Sequence, residues 1–148
     1  MAITYTPKIG EVLECDFGNF KKTGNEFDKR NYDGRIPNEM IKRRMVMVIN
    51  PKIGGGCHLV VPISSTKNLG AIRNGTHVSL DEQFFRVTDF YDKRERWAKC
   101  EALQLVSNQR LFKMIDDGVR FDQYLNREIV ELVQRGIIAA INAKSLVK

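Results

Sequence analysis

The residues that build metal centres and disulfide frameworks are scarce in this chain. Its 148 residues include three cysteines, two histidines and one tryptophan. The cysteine number is odd, and Cys15, Cys57 and Cys100 each lie within an apolar segment. That distribution favours free core thiols in a reducing compartment over a disulfide framework.

The two histidines lack the spacing of a metal site. His58 directly follows Cys57, so on a strand their side chains would point to opposite faces, and His77 stands alone in the sequence. The glycine-rich stretch "KIGGGC" joins two predicted strands and is typical of a hairpin turn, not of a phosphate-binding loop that opens a helix. We therefore expect neither a metal ion nor a cofactor.

Long apolar runs are also missing. No run approaches the roughly 20 residues that a membrane-spanning helix needs, and "MAITYTPKIG" at the start has no signal-peptide apolar region. We expect a cytoplasmic protein without a membrane partner. The 24 lysines and arginines exceed the 18 acidic residues, which gives a net charge of +6. This balance is consistent with a polyanionic partner and also with a basic soluble protein that has none.

What the chain does contain is a series of short apolar segments. With 43% hydrophobic residues it can bury a core, and its length predicts a single domain over residues 1–148. Period-two alternation or continuous apolar character predicts strands, which are "GEVLECDFG" from Gly10, "RRMVMVINP" from Arg43, "CHLVVPISST" from Cys57, "THVSL" from Thr76 and "RWAKCEALQLV" from Arg96. Pro62 suggests an edge or a bulge in the third of these.

One amphipathic helix closes the chain. Asn126 is a suitable N-cap, and the predicted helix covers about 126–144. Its apolar stripe would contain Ile129, Leu132, Val133, Ile137, Ala140 and Ile141. Five to seven short strands and one helix favour a mainly β protein built as a small barrel over a parallel α/β sheet.

The connecting segments are less regular. Residues 19–43 form a long polar stretch that is either a functional lid or partly disordered, with a possible short helix from Pro37. Residues 68–75 are predicted to form a loop. Residues 81–95 are predicted to be a short helix or an irregular excursion, and a helical turn is expected within 108–118.

A lysine and a glutamate provide the first candidate for chemistry. If 96–106 is one strand, Lys99 and Glu101 share a face and Cys100 points the other way. Such a pair can be a plain surface ion pair, worth about 0–1 kcal/mol. It can also serve an RNA-cleaving site, where a base deprotonates the 2′-hydroxyl, an acid protonates the departing 5′-oxygen and cations stabilise the phosphoryl charge.

Two further groups fit the same chemistry. Arg44 offers a fixed cation with paired donors for phosphate, unless it is only a solvated strand end. Ser64 and Ser65 can hydrogen-bond phosphate or base edges.

The order of these segments resembles the PemK/MazF/Kid family of toxins from bacterial toxin–antitoxin pairs. The resemblance rests on a Gly-Glu strand that ends in Asp-Phe (Gly10 to Phe17), an arginine before a hydrophobic run and a proline ("RMVMVINP"), and Val-Pro before small hydroxyl residues ("VVPISST"). "THVSL" and "KCEALQLVSNQRL" follow in the family's order, as far as Leu111.

The resemblance implies an SH3-like barrel with a C-terminal helix, usually a homodimer. It implies a metal-independent, sequence-selective endoribonuclease that acts on single-stranded RNA and is neutralised by a cognate antitoxin. By position, the family's catalytic arginine falls on Lys99, its acid on Glu101 and its strand-start arginine on Arg44. The hydroxyl contacts to RNA fall on Ser64 and Ser65, with Thr66 and Arg43 as further RNA-binding candidates.

Some positions depart from the family pattern. Lys99 replaces an arginine, and Ala102 replaces the glutamine that usually follows the acid. An ammonium can release a proton as a general acid but loses two-pronged phosphate binding. The segment 19–43 is longer than is typical, and Arg35 in "RIP" competes with Arg44 for the role of the strand-start arginine.

Two other functions remain open on these residues. A non-catalytic member of the same fold would bind RNA or a protein target such as DNA gyrase without turnover. A basic DNA-binding regulator would need a helix-turn-helix, and the sequence predicts a single clear helix.

Overall fold

The computed structural model describes residues 1–23, 26–27 and 34–147, with residues 22–23 and 26–27 described by their backbone alone. The strands in these ranges are β1 (Val12–Asp16), β2 (Lys22–Thr23), β3 (Glu26–Phe27), β4 (Arg43–Gly54), β5 (Cys57–Ser64), β6 (His77–Leu80), β7 (Arg96–Lys99), β8 (Gln104–Ser107), β9 (Leu111–Asp116) and β10 (Val119–Phe121). The α-helices are α1 (Leu69–Arg73) and α2 (Arg127–Ala140). Single 3-10 turns cover Glu82–Phe84, Cys100–Ala102, Asn108–Arg110 and Lys144–Leu146.

Eight of these strands form one antiparallel sheet. Their order is β10-β9-β1-β4-β5-β7-β6, and β8 also pairs with β5. The pair β2-β3 forms a separate small ribbon. The expected class, mainly β with a C-terminal helix, is confirmed, and the strands β2, β3, β9 and β10 are additions that the sequence patterns did not predict. The helical turn expected within 108–118 is limited to the 3-10 turn Asn108–Arg110, and strand β9 follows it.

Strand β5 changes partner along its length. One edge pairs with β4, whereas the other pairs with β8 from Cys57 to Val60 and then with β7 at Ile63 and Ser64. Pro62, which has no N–H to donate, lies just where one partner has ended and the next begins. The proline therefore marks a fork inside the sheet and not its outer edge.

The core divides into two clusters because neighbouring residues on β1 and β4 point to opposite faces. Val12, Met45 and Met47 belong to the cluster covered by α2. Leu13, Cys15, Phe17, Val46 and Val48 belong to the cluster on the other face.

Helix α2 begins as expected and ends earlier. The Asn126 side chain accepts a 3.0 Å hydrogen bond from the Ile129 N–H, so Asn126 is the N-cap. Leu132 and Ile141 are about half and two-thirds exposed, so their assignment to the apolar stripe is wrong. Each residue advances the helix by about 100°, which puts Leu132 on one flank. The buried arc contains Val130 and Gly136 instead.

Three local predictions are corrected by the structure. "RWAKCEALQLV" is not one strand, because β7 ends at Lys99 and the 3-10 turn Cys100–Ala102 separates it from β8. The predicted loop at 68–75 contains helix α1, which Asn68 caps. The short helix expected from Pro37 is replaced by turns, and Lys42 there has a left-handed φ of 69°, which a helix cannot contain.

The long segment at 19–43 is described in part. Phe20 forms a parallel bridge with Arg35. The choice between a lid and a disordered segment depends on residues 24–25 and 28–33, which lie outside the described residues. Within the described part of the chain, no helix is long and apolar enough to cross a membrane.

Candidate functional site: two hollows that share Lys99

A hollow of about 390 Å³ lies beside the start of β4 and the end of β5, and we call it the basic hollow. Its polar and charged lining consists of Arg43, Arg44, Ser64, Ser65, Thr66, Tyr91, Arg96 and Lys99. Six of the seven site residues expected from the sequence are in this list, and the seventh is Glu101. Residues far apart in the chain thus meet at one concave surface.

The two adjacent arginines reach the basic hollow from the first residues of β4. Arg44 Nε donates a 3.0 Å hydrogen bond to the Ile41 carbonyl. The Arg43 guanidinium lies over the Phe112 ring at 4.2 Å, a cation–π contact. Each contact fixes a side chain that is otherwise exposed, so both cations are held at the rim.

The hydroxyl residues come from the end of β5. Ser64 pairs with Trp97 of β7, and its Oγ accepts a 3.1 Å hydrogen bond from the Thr66 N–H. Ser65 and Thr66 follow the strand and are exposed. The chain therefore turns at Ser64 and presents three hydroxyl groups next to the arginines.

A second hollow of about 410 Å³ adjoins the first, and we call it the turn hollow. Lys99 lines both of them, and Glu101 lines the turn hollow. The remaining lining is Arg35, Asn38, Glu39, Met40, Ala102, Leu103 and Gln104. Lys99 and Glu101 thus meet at one surface although they are not on one strand, and a turn provides the proximity.

The expected alternative of a Lys99–Glu101 ion pair is not what the structure contains. Among the described residues the Glu101 carboxylate has a different partner, the His77 Nε2, at 2.7 Å from Oε1. The Lys99 ammonium has no carboxylate within 4.0 Å in the described part of the chain. Lys99 is therefore a cation that is not neutralised by a neighbouring acid there.

Arg35 lines the turn hollow, whereas Arg44, the other candidate for the strand-start arginine, lines the basic hollow. The two arginines therefore lie on different sides of Lys99. Arg35 Nε donates a 2.8 Å hydrogen bond to the Phe17 carbonyl, and its Nη1 is 3.7 Å from Glu39 Oε2. Arg35 is thus tied to the end of β1, whereas Arg44 is tied to the segment before β4.

Three groups at or near the basic hollow were not found from the sequence, namely Tyr91 and Arg96, which line it, and Glu14 of β1. Burial raises the pKa of Glu14, against the attraction of Arg43 and Arg120. Burial, with the Glu14 charge, also raises the pKa of Tyr91 to about 12, so this hydroxyl stays protonated at neutral pH. Burial lowers the pKa of Arg96 from its usual value.

Arg96 organises the irregular stretch before β7. Its side chain is buried, with the guanidinium 5.5 Å from the Tyr91 ring and Nη2 donating a 3.0 Å hydrogen bond to the Asp92 carbonyl. In the sequence Arg96 looked like the polar start of a strand. Its role depends on contacts with residues 85–92, whose path no periodicity predicts.

His77 was also missed as a partner of the site. It is 24 residues from Glu101, and the link depends on the pairing of His77 with Lys99 across β6 and β7. Register between strands is not readable from one sequence. As for metals, no group of three or more histidine, cysteine or acidic residues that could hold an ion occurs in the ranges that the structure describes.

Comparison with known proteins decides the family. Residues 8–141 match the family model of the PemK-like, MazF-like toxins of type II toxin–antitoxin systems. The chain belongs to this PemK/MazF toxin family. The match spans every element from β1 to α2 and both hollows.

Curated relatives extend over nearly the whole chain. An uncharacterised protein of Haemophilus influenzae is 49% identical over 142 residues, which are 96% of this chain and 94% of the relative. The protein YifN of Escherichia coli K12 is 43% identical over 148 residues, 99% of each chain.

The fold is shared with a solved PemK/MazF structure. The Mycobacterium tuberculosis toxin MazF-mt6 matches with a TM-score of 0.51 and 18% identity, over 70% of this chain and 91% of the toxin. This likeness agrees with the architecture described above, an antiparallel sheet with a helix at the end. The solved structure thus supports the fold, and the family assignment rests on the match over residues 8–141.

Proposed function

We propose that this toxin is a metal-independent, sequence-selective endoribonuclease that cleaves single-stranded RNA. The observation that carries the proposal is the meeting of Arg43, Arg44 and Lys99 with three hydroxyl residues in the basic hollow, beside Glu101 in the turn hollow. Clustered cations with hydrogen-bonding hydroxyls suit a phosphodiester, and a carboxylate next to them suits proton transfer.

In the proposed reaction, Glu101 removes the proton of a ribose 2′-hydroxyl and the 2′-oxygen attacks the adjacent phosphorus. The bond to the 5′-oxygen breaks, Lys99 protonates that oxygen, and the products are a 2′,3′-cyclic phosphate and a 5′-hydroxyl. Arg44 stabilises the charge on the phosphoryl oxygens. Arg43, Ser64, Ser65 and Thr66 bind the flanking RNA.

Lysine at position 99 is compatible with these roles. A guanidinium does not deprotonate in proteins, whereas an ammonium does, so Lys99 is suited to act as the acid. The paired donors that it lacks for phosphate can come from the terminal nitrogens of Arg44, whose Nε is bonded to the Ile41 carbonyl.

Family membership also supports two partners. We propose that a cognate antitoxin protein neutralises this toxin and that the toxin acts as a homodimer. An antitoxin segment that covers the hollows would block RNA directly, and acidic residues in it would complement the +6 charge of the chain.

The test is cleavage of a set of single-stranded RNAs by the pure protein in excess chelator. We expect products with 2′,3′-cyclic phosphate ends from the wild type and a loss of kcat of about 10²–10⁴-fold for Glu101→Gln. The matched control is Glu131→Gln, because Glu131 is an exposed acid on α2. No cleavage of any RNA by the wild type, or equal cleavage by Glu101→Gln, would contradict the proposal.

The second candidate is a non-catalytic toxin that binds RNA or a protein target such as DNA gyrase. It is favoured by one specific observation, that the Glu101 carboxylate is already engaged by a buried histidine. On this reading Glu101 only stabilises the turn. Tight binding of RNA or gyrase by a wild type that never turns over RNA would support this candidate over the nuclease.

A further inference from the structure

The hydrogen bond between His77 and Glu101 joins the interior to the surface. The His77 side chain is 4% exposed and the Glu101 side chain 44% exposed, and Nε2 lies 2.7 Å from Oε1. One carboxylate oxygen is thus held from below while the group as a whole faces the turn hollow. An arrangement of this kind fixes the direction of a carboxylate without covering it.

The second ring nitrogen of His77, Nδ1, bears on the role of this side chain. Nδ1 of His77 is buried and has no hydrogen-bond partner among the described residues. An unpaired buried polar atom costs about 1–3 kcal/mol, so a histidine kept only to fill the core is a poor choice here. A carboxylate that acts as a base only accepts hydrogen bonds, so the role argued below requires that Nε2 carries the proton and donates to Glu101.

The backbone around Glu101 explains why such a donor is needed. Strand β7 ends at Lys99, and Glu101 is the middle residue of the 3-10 turn that follows. His77 pairs with Lys99 across β6 and β7, and the Cys100 N–H donates a 2.9 Å hydrogen bond to the Thr76 carbonyl. The ring therefore comes from the strand that also anchors the turn, and it restrains a flexible side chain that the turn alone would leave free.

We propose that His77 is the positioning residue of the nuclease site, which holds the Glu101 carboxylate in the direction needed to accept the 2′-hydroxyl proton. This inference rests on the proposed function. His77 does not contact RNA, and it acts on the reaction through Glu101. A base that is misdirected by about 1 Å loses of the order of 10²-fold in rate, so the effect falls on kcat and not on RNA binding.

The experiment compares three His77 variants of the full-length protein on the RNA that the wild type cleaves. Glutamine carries an amide nitrogen close to the place of Nε2, whereas asparagine is too short and leucine has no donor. We expect His77→Leu and His77→Asn to lose about 10–100-fold in kcat with KM within about two-fold of the wild type. His77→Gln should regain most of the rate.

His58 gives the matched control. It is as buried as His77, and its Nδ1 is bonded to the Pro51 carbonyl at 3.0 Å, away from both hollows. His58→Leu should lower the unfolding midpoint about as much as His77→Leu but leave kcat unchanged. If His77→Leu does not fold, the rate of His77→Gln still tests the inference. A nitrogen-15 NMR spectrum of the wild-type ring tests it independently, because the inference requires a proton on Nε2.

The outcomes separate this inference from the proposed function. A wild type that cleaves no RNA overturns the nuclease proposal and this role together. An active wild type with an equally active His77→Leu, or a ring protonated on Nδ1 alone, overturns the role of His77 and leaves the nuclease standing.

Discussion

Glu14 is a carboxylic acid that the fold nearly removes from water. It is 7% exposed on β1, and burial raises its pKa in the folded state. In the unfolded chain the group titrates near its ordinary pKa of about 4.3. Between these two pKa values the folded state binds more protons than the unfolded state, so the free energy of unfolding falls as pH rises through that window.

We therefore expect Glu14→Gln to become more stable relative to the wild type as pH rises above about 4, with the difference constant once the folded wild type is fully ionised. Urea unfolding at several pH values measures this difference. Glu131→Gln, at an exposed acid, should show no such trend. A wild type that gains on Glu14→Gln with rising pH would show that Arg43 and Arg120 outweigh the burial of the charge.

The helix α2 approaches the turn that carries Glu101 through a glycine. A Cβ at position 136 would lie 2.6 Å from Cys100 Sγ and 2.8 Å from Val78 Cγ2. Alanine in a helix normally stabilises by about 1 kcal/mol over glycine, but forced overpacking costs about 1–3 kcal/mol. We expect Gly136→Ala to lower the free energy of unfolding by about 1 kcal/mol net, as measured by chemical denaturation.

The same contact supplies its own control. Cys100→Ala removes the sulfur that is nearest to the added methyl, so the double variant Gly136→Ala, Cys100→Ala should be more stable than the sum of the two single changes. Strict additivity, or a stabilised Gly136→Ala, would mean that α2 shifts at little cost. The close contact at Gly136 would then not constrain the turn.

Most elements are predictable from the sequence because their signals are local. The alternation in β1, the continuous run in β4 and the Asn126 cap of α2 are each read within a few residues, and all three are present. The break after Lys99 was missed because "RWAKCEALQLV" has strand-like residues throughout. The change from β7 to β8 depends instead on β5, which offers its edge to both strands at the fork.

The meeting of the candidate residues was predictable to the extent that it follows motif order. Arg44, Ser64 and Lys99 line one hollow, and their roles there stay predictions. The groups behind them could not be found, since Glu14 and His77 matter through burial and through pairing between distant strands. Charged residues are usually exposed, so a sequence predicts exposure at such positions. The burial of a charged residue becomes visible only in the folded structure.

At the scale of the whole molecule, the basic charge of the chain would act in the proposed RNA complex through contacts with phosphates. For single-stranded RNA the logarithm of the association constant falls with the logarithm of the salt concentration, by about 0.7 for each phosphate contacted. We expect Arg44→Ala to reduce this slope by about 0.7. The measurement uses the Glu101→Gln background, in which the RNA stays intact.

Arg127→Ala provides the comparison. Arg127 is an exposed cation at the start of α2, with its Nε 3.4 Å from Glu131 Oε1, and it lines neither hollow. Its removal changes the net charge by the same amount as the removal of Arg44. Equal slopes for the two variants would indicate that RNA responds to total charge and not to the basic hollow.

The fork in β5 has a consequence for how the molecule can move. The strand that ends in Ser64 is held on one edge by β4 and on the other by β8 and then by β7. A slip of one residue would turn every side chain of β5 to the opposite face and exchange the buried Val60 and Val61 between the two core clusters. Amide hydrogens along this strand should therefore exchange with deuterium only when the entire domain opens, so the hydroxyl side of the site has no local melting of its own.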